Sequence, residues 1–211
     1  MGRPESRSEP TIMKRMVTAA VDYLHECHDR TVELTEIAAR AGVPMDSARE
    51  VFADDDALDE AIGTYGILQL SDVVTRALVA VPQGDPRASL IALATAYLTW
   101  AQANRKLYYV LTTQLVQPRR TDSIIRLYDA SFVPLVRRFL GEHDPAQATR
   151  RAAMARSFLF GLTDLALEDH LDLWLLPNED TQAELIATIE DFVTLLLAAP
   201  APGDQPMRSE A

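Results

Sequence analysis

LTEIAARAGVPMDSAREVF, residues 34 to 52, predicts two short helices joined by a tight turn at Gly42. The first helix and its turn have apolar residues at Leu34, Ile37, Ala38, Ala41 and Val43. The second helix has them at Ala48, Val51 and Phe52. An amphipathic helix precedes them, with an apolar residue at every fourth position from Ile12 to Leu24. Three helices in this order are typical of a helix-turn-helix module, whose last helix enters the DNA major groove.

Apolar periodicity in the rest of the chain predicts further helices and no strand, so the expected fold class is all-α. Besides the two helices of the turn, helices are expected at about residues 11–28, 57–81, 88–103, 105–116, 122–140, 146–169 and 180–199. Pro134 lies inside one of them and should kink or split it, because proline lacks the N–H group that an interior helical position donates. Residues 1–10 and 200–211 have no periodicity and are predicted to be disordered tails.

The composition is that of a globular protein, with 48% hydrophobic and 24% charged residues. The single cysteine, Cys27, excludes an internal disulfide bond. No apolar run reaches the roughly 18 residues of a membrane span, and the first residues have no signal-peptide pattern. We therefore expect a cytoplasmic protein with no membrane partner.

The charge of the chain opposes the function that the helix-turn-helix suggests. The net charge is −11, and between residues 11 and 66 five basic and twelve acidic side chains leave −7. Phosphate neutralisation supplies most non-specific affinity for DNA, so this segment should bind DNA weakly and depend on base contacts.

The chain resembles the TetR family of transcriptional regulators. The motif residues that carry the resemblance are Ile37-Ala38, Ala41-Gly42-Val43, Ser47, Phe52 and Leu58, with Asn104–Leu107 and Phe160–Leu165 matching segments further on. One departure stands out, because Asp55 occupies the place where the family usually has a phosphate-binding lysine.

The resemblance implies a homodimer of subunits with nine to ten helices each. Residues 11–62 would form the helix-turn-helix DNA-binding domain, and residues 63–199 a ligand-binding and dimerisation domain. The two DNA-binding domains would reach successive major grooves of a palindromic double-stranded operator, about 34–36 Å apart. An unidentified small molecule would be the effector, and no cofactor is expected.

The candidate DNA-binding residues lie in the first helices. They are Lys14, Thr35, Arg40, Pro44, Met45, Ser47 and Arg49. Arg49 is the best candidate for reading a guanine, since its guanidinium can donate two hydrogen bonds to one base. An intrahelical ion pair with Asp46, three residues earlier, is an equally good interpretation.

The candidate effector-binding residues are mostly aromatic, which suits a mid-sized apolar ligand with one or two hydrogen-bonding groups. They are Tyr97, Trp100, Tyr108, Leu111, Gln114, Tyr128, Phe132, Phe158 and Leu162. Any one of them is also compatible with ordinary core packing. The candidate dimer-interface residues are Ala155, Leu159, Leu185, Ile189, Phe192 and Leu196, although a monomer could bury the same faces internally.

No catalytic or metal-binding residue is predicted. The sequence has no nucleophile–base pair, ligand cluster or phosphate loop, and Asp54, Asp55 and Asp56 are expected to cap a helix N-terminus rather than bind a metal. The sequence thus predicts a ligand-responsive transcriptional regulator, acting as a repressor, and not an enzyme. The alternative is a relative whose acidic DNA-binding domain has lost DNA binding and acts through protein contacts.

Overall fold

Nine α-helices and no strand make up the parts of the chain that the computed structural model describes, which are residues 10–26, 32–116, 123–141, 145–168 and 181–198. The helices are α1 (Ile12–Glu26), α2 (Leu34–Arg40), α3 (Met45–Val51), α4 (Asp55–Val79), α5 (Pro86–Ala103), α6 (Arg105–Val116), α7 (Ile124–Leu140), α8 (Pro145–Leu167) and α9 (Thr181–Ala198). The all-α prediction is therefore confirmed. Both predicted tails lie outside the described residues, apart from residue 10.

The chain forms two compact units, each built from two segments. Unit 1 comprises Met1–Gln69 and Asn104–Arg126, and unit 2 comprises Leu70–Ala103 and Leu127–Ala211. Unit 1 therefore includes α6 as well as the first three helices. The sequence-based boundary at residue 62 stays a prediction.

The core of unit 1 is built on the amphipathic face of α1. Met16, Ala20 and Leu24 are buried, in line with the four-residue spacing of the sequence. The helices α1, α2 and α3 pack against one another in pairs, and α1 also packs against α6. This arrangement fixes the turn between α2 and α3 on a rigid three-helix base.

The core of unit 2 is centred on α5, which packs against both α8 and α9. Leu98 and Ala101 of α5 are fully buried, and Ile189 of α9 is buried as well. The face of α9 that carries Leu185, Ile189 and Leu196 is thus buried within the chain, whereas Leu195 remains exposed.

Pro134 does not split its helix, because α7 runs through it from Ile124 to Leu140. Proline removes one hydrogen bond to the carbonyl four residues earlier, which belongs to Ala130. Both Pro134 and Ala130 are exposed, so water can solvate the freed carbonyl group. The expectation of a split is therefore wrong, and a kink at Pro134 stays a prediction.

Candidate DNA-binding site and ligand-binding residues

The turn between α2 and α3 has a complete hydrogen-bonded helix C-cap. The N–H of Gly42 donates to the carbonyl of Ala39 (3.1 Å), and the N–H of Val43 donates to the carbonyl of Ala38 (2.9 Å). Gly42 has φ +62°, a left-handed conformation that favours glycine. Val43 and Ala38 are both buried, which supplies the hydrophobic contact that accompanies this Schellman arrangement. The sequence predicted the turn at this glycine.

Arg15 of α1 holds the same turn from the outside. Its Nη2 atom donates hydrogen bonds to the carbonyl oxygens of Ala41 (2.6 Å) and Gly42 (3.0 Å). These two carbonyls belong to the end of α2, where a cation also suits the helix dipole. Arg15 therefore links α1 to the helix-turn-helix.

Two carboxylates of the acidic run Asp54–Asp56 bind backbone N–H groups. The Oδ1 atom of Asp54 accepts a hydrogen bond from the N–H of Ala57 (2.9 Å), which is the expected N-cap of α4. The Oδ1 atom of Asp55 accepts from the N–H of Leu34 (2.7 Å), the first residue of α2. The residue before Leu34 makes no side-chain cap of its own, so Asp55 replaces it from another helix. The aspartate at the position where the resemblance predicted a lysine thus has a structural role.

Arg40, a predicted DNA contact, binds groups of α1. Its Nη1 atom lies 2.5 Å from Oε2 of Glu26, and its guanidinium carbon lies 5.0 Å from the centre of the Tyr23 ring. The ion pair and the cation–π contact join the end of α2 to the end of α1. A phosphate would have to compete with both partners, which makes Arg40 a weaker candidate than its position in the sequence suggested.

Arg49 lies on α3 with its side chain exposed and makes no hydrogen bond or ion pair with any described residue. The alternative interpretation, a pair with Asp46, is therefore not what the structure has. Lys14, Thr35 and Pro44 are exposed too, while Met45 and Ser47 are half-buried. Pro44 is the N-cap residue of α3. The exposed ones stand at the surface, where DNA would have access, and their role as contacts stays a prediction.

One carboxyl group of unit 1 titrates well above its ordinary range. Burial, together with the smaller effect of the nearby carboxylate of Asp55, raises the pKa of Asp59 on α4 from 3.8 to about 6. Part of the formal negative charge of this unit is therefore lost on mild acidification.

The predicted effector-binding residues divide between the two units. Tyr108, Leu111 and Gln114 belong to unit 1, and the other six belong to unit 2. Tyr108, Leu111, Trp100 and Leu162 are buried, whereas the remaining five are half-buried. Burial of this degree suits a pocket lining as well as a core.

Aromatic rings in unit 2 pair across its helices. The rings of Phe158 (α8) and Phe192 (α9) stack in parallel, with centroids 3.7 Å apart. Tyr97 (α5) lies 6.1 Å from Phe160 (α8), and the guanidinium of Arg156 lies 5.1 Å from the Phe160 ring. Phe192, predicted to lie at the dimer interface, is therefore engaged with a residue predicted to bind the effector.

The sequence reasoning missed two buried hydroxyl groups in unit 2. The Oγ1 atoms of Thr95 (α5) and Thr163 (α8) are buried and have no hydrogen-bond partner among the described residues. Thr163 is fully buried, which is costly for a hydroxyl group without a partner. Periodicity could not identify them, since threonine is common on either face of a helix.

Four of the predicted dimer-interface residues are already buried in the single chain. They are Leu159, Leu185, Ile189 and Leu196, whereas Ala155 and Phe192 are half-buried. The large apolar side chains that α8 and α9 expose are different ones, namely Met154, Leu165 and Leu195. The interface residues stay a prediction, and these three are additional candidates.

Two further classes of site have no counterpart in the described part of the chain. No group of three or more His, Cys, Asp or Glu side chains is placed to hold a metal ion there. None of the described helices combines the length and apolarity needed to cross a membrane.

Comparison with known proteins points to one family. Residues 90–192 match the family model described as the tetracyclin repressor-like C-terminal domain. The chain is 24% identical over 161 residues to the HTH-type transcriptional regulator BetI of Yersinia pestis (strain Pestoides F), covering 76% of this chain and 81% of that protein. The same identity and coverage hold for BetI of Yersinia pseudotuberculosis serotype O:1b (strain IP 31758).

Solved structures share the fold at low sequence identity. A protein of unknown function from Rhodococcus sp. RHA1 superposes with a TM-score of 0.75 at 23% identity, covering 92% of this chain and all of that one (100%). A TetR-like transcriptional regulator from the same organism gives a TM-score of 0.66 at 18% identity, covering 88% and 95% of the two chains. The similarity of fold therefore extends beyond the matched C-terminal region, over 88–92% of the chain.

Proposed function

We propose that this chain, which is similar to the TetR family of transcriptional regulators, is a ligand-responsive repressor that binds a palindromic DNA operator as a homodimer. The family consists of regulators and not of enzymes. An operator of this kind would place the protein in the cytoplasm. The effector would be a small molecule held in the C-terminal part of the chain.

The observation that carries this proposal is the geometry of the helix-turn-helix. The turn is capped by its own backbone and held by Arg15, so α3 has a fixed orientation on α1 and α2. An exposed arginine that has no partner among the described residues, Arg49, lies on that helix. A fixed helix with a free guanidinium is what direct reading of a guanine requires.

The acidic charge determines how DNA binding should depend on salt. Arg15 and Arg40 are engaged within the protein, which leaves Lys14, Arg30 and Arg49 as the other basic residues between residues 11 and 66 that could neutralise phosphates. The slope of log affinity against log salt concentration is about −0.9 per neutralised phosphate. We therefore expect a shallow slope, with base contacts supplying most of the discrimination between sequences.

The proposal can be tested by letting the purified full-length protein select genomic DNA fragments. The affinity for the selected palindrome is then measured by titration in low and moderate salt. Arg49→Ala should cost about 1–3 kcal/mol of binding and relax preference at one base pair. Lys14→Ala should instead weaken all sequences alike and reduce the salt slope by about one. Arg126→Ala is the matched control, because Arg126 is an exposed arginine on α7 outside the helix-turn-helix.

No enrichment of any fragment even at low salt would contradict DNA binding. An enriched palindrome whose affinity is unchanged by Arg49→Ala would remove only Arg49 from the contacts.

The effector proposal is supported by the buried hydroxyl groups of unit 2. Thr95 and Thr163 lie on α5 and α8, which pack against each other, and a hydrogen-bonding ligand group would relieve their desolvation. The aromatic rings nearby in the sequence, Tyr97 and Phe160, suit an apolar ligand body.

A thermal-shift screen of mid-sized apolar compounds, repeated on Thr163→Val, tests the effector proposal. Valine keeps the shape and removes the hydroxyl group, so compounds that use it should lose most of their stabilisation. Thr194→Val is the control, since that hydroxyl is exposed and already donates to the carbonyl of Glu190 (2.8 Å). Equal shifts in all three proteins would exclude Thr163 from the binding site.

A further inference from the structure

Unit 2 contains a cavity of about 580 Å³. None of the nine predicted effector-binding residues is part of its wall. It is half-open to solvent and lies between the end of α4, the loop from Val81 to Gly84 and the last turns of α7. A volume of this size is within the range of about 300–1,000 Å³ that small-molecule sites have. The cavity is therefore large enough for a small ligand in its own right.

The cavity wall is mostly apolar. Its principal apolar side chains are Leu78, Val79, Val81, Pro82, Leu135 and Phe139. Val79 is 81% exposed, an unusual degree for a large apolar residue. Such a wall favours an apolar group that would cover it.

One charged side chain, Arg138, lines the cavity, and no carboxylate of the described residues does. Arg138 makes no ion pair or hydrogen bond with any described residue. The other polar groups of the lining are weak and neutral: Thr75, Gln83 and Ser89. The hydroxyl group of Ser89 already donates to the carbonyl of Asp85 (2.7 Å), so it is no donor for a ligand. The electrostatic preference of the cavity is consequently for a single negative charge at Arg138.

The floor of the cavity is a rigid turn. Asp85 accepts a hydrogen bond from the N–H of Ala88 (2.9 Å) and caps α5, and Pro86 occupies the first helical position. Gly84 has φ +90°, which only glycine adopts readily. The loop sequence thus determines the backbone conformation on this side of the cavity.

From this combination we infer that the cavity is a binding site for an amphiphilic monocarboxylate. The apolar body lies against Leu78, Val79 and Phe139, and the carboxylate accepts hydrogen bonds from the guanidinium of Arg138. A planar guanidinium matches the two oxygens of a carboxylate. A cationic ligand finds no partner in this lining, and a neutral one leaves the arginine unused.

Isothermal titration calorimetry of the full-length protein with octanoate, octan-1-ol and octylammonium distinguishes the contribution of the apolar tail to affinity from the contribution of the charge. The three probes share one tail and carry charges of −1, 0 and +1. We expect octanoate to bind at least about ten-fold more tightly than the alcohol, because hydrogen bonds to a charged group are the stronger ones. Octylammonium should bind more weakly than the alcohol.

The length of the tail tests whether it enters the cavity. Each buried methylene group should raise affinity about three- to four-fold, so decanoate should bind about ten-fold more tightly than octanoate. Equal affinity for the two acids would overturn the proposed pose of the tail.

Matched variants test the assignment of the charge. Arg138→Gln should lower octanoate affinity about ten-fold and leave octan-1-ol affinity unchanged. Arg137→Gln is the control, since Arg137 is its neighbour on α7 and does not line the cavity. Val79→Glu should weaken octanoate binding and Val79→Lys should not, at a position exposed enough to accept either side chain.

Three outcomes would each overturn the proposal. They are equal affinity for octanoate and octan-1-ol, equal effects of the two arginine variants on octanoate affinity, and no heat of binding at millimolar octanoate. All of these measurements use the protein without DNA. A failure here is therefore distinguishable from a failure of operator binding, and the Arg138→Gln variant distinguishes binding in this cavity from binding at the predicted effector site, which Arg138 is not part of.

Discussion

At the scale of single residues, Asp55 has a structural role at the position where the resemblance predicted a lysine. Its carboxylate accepts the hydrogen bond of the Leu34 N–H although the two residues are 21 positions apart. That bond ties the first turn of α4 to the first turn of α2. A lysine at this position could not accept it.

Asp55→Ala should therefore destabilise the protein by about 1 kcal/mol, the usual effect of removing a helix cap. Asp55→Asn should retain most of the stability, because the amide oxygen still accepts the bond. Urea unfolding of both variants, followed by circular dichroism, measures the difference. Equal losses in the two variants would mean that charge, and not the hydrogen bond, is what matters at residue 55.

Asp59 predicts a specific pH dependence of stability. Its pKa is raised to about 6 in the folded protein, whereas the ordinary value is 3.8. Between those two values the folded state holds a proton that the unfolded state releases, so this group makes stability fall as pH rises through the window. Above about pH 6 the full destabilisation remains.

Asp59→Asn should accordingly be more stable than the parent at pH 7, and the advantage should vanish towards pH 4. Because the side chain is only about half-buried, we expect a gain of about 1 kcal/mol rather than the full electrostatic equivalent of the shift. Urea unfolding of both proteins at pH 4, 5, 6 and 7 measures it. The other carboxylates titrate in both proteins and cancel in the difference. A difference that does not change with pH would contradict the raised pKa.

Residue-scale predictions from sequence succeeded where the partner was local. Asp54 was expected to cap a helix, and it binds the N–H three residues ahead. Arg40 was expected to be free for DNA, but its partner Glu26 lies 14 positions earlier, across a turn whose path the sequence does not specify. The same limit applies to Arg15 and to Asp55.

At the scale of helices, α4 owes its close packing in unit 1 to two glycines. A Cβ atom on Gly63 would lie 2.8 Å from Cδ1 of Ile125, and one on Gly66 would lie 3.2 Å from Cγ of Leu107. Both distances are below ordinary contact, so neither position accepts a larger residue without movement of its neighbour. Ile125 and Leu107 are buried, which restricts that movement.

A double-mutant cycle tests this packing. Gly63→Ala should destabilise the parent by roughly 1 kcal/mol, since overpacking exceeds the gain in helix propensity. In an Ile125→Val background the colliding Cδ1 atom is absent, so the same change should be neutral or stabilising. Coupling of about 1 kcal/mol, measured by urea unfolding, is expected for residues in contact. Additive effects would contradict the contact between Gly63 and Ile125.

Helix positions were predictable from periodicity, whereas the partner of each apolar face was not. The sequence placed α6 at residues 105–116, as found, because Asn104 and Pro118 bound a regular apolar pattern in the sequence. For α9 the apolar face was correctly identified, but it packs on α5 of the same chain. Periodicity reports that a face is buried and does not report what buries it.

At the scale of the whole molecule, the surface left exposed on α8 is the feature that bears on assembly. Met154, Ser157, Gly161 and Leu165 follow one another at spacings of three and four, and all four are exposed. Nothing lies within 4 Å of a Cβ atom built on Gly161, so the backbone there is open to close approach by another helix. An exposed stripe in which two large apolar side chains flank two small residues is typical of an interaction surface.

We expect this stripe to be the centre of the homodimer interface. Sedimentation velocity should show that the parent protein is a dimer at micromolar concentration. The Met154→Glu, Leu165→Glu double variant should be monomeric, because two carboxylates buried against a partner copy lose their hydration without gaining an ion pair. Buried apolar anchors at an interface contribute about 2 kcal/mol each, so the dissociation constant should rise at least about a hundred-fold. Val116→Glu on α6 is the control, since that side chain is 73% exposed and off the stripe. If the double variant is still a dimer, the interface must lie on another face, and Leu195 on α9 is the next position to test. If the parent protein is a monomer, it cannot recognise a palindrome as a homodimer.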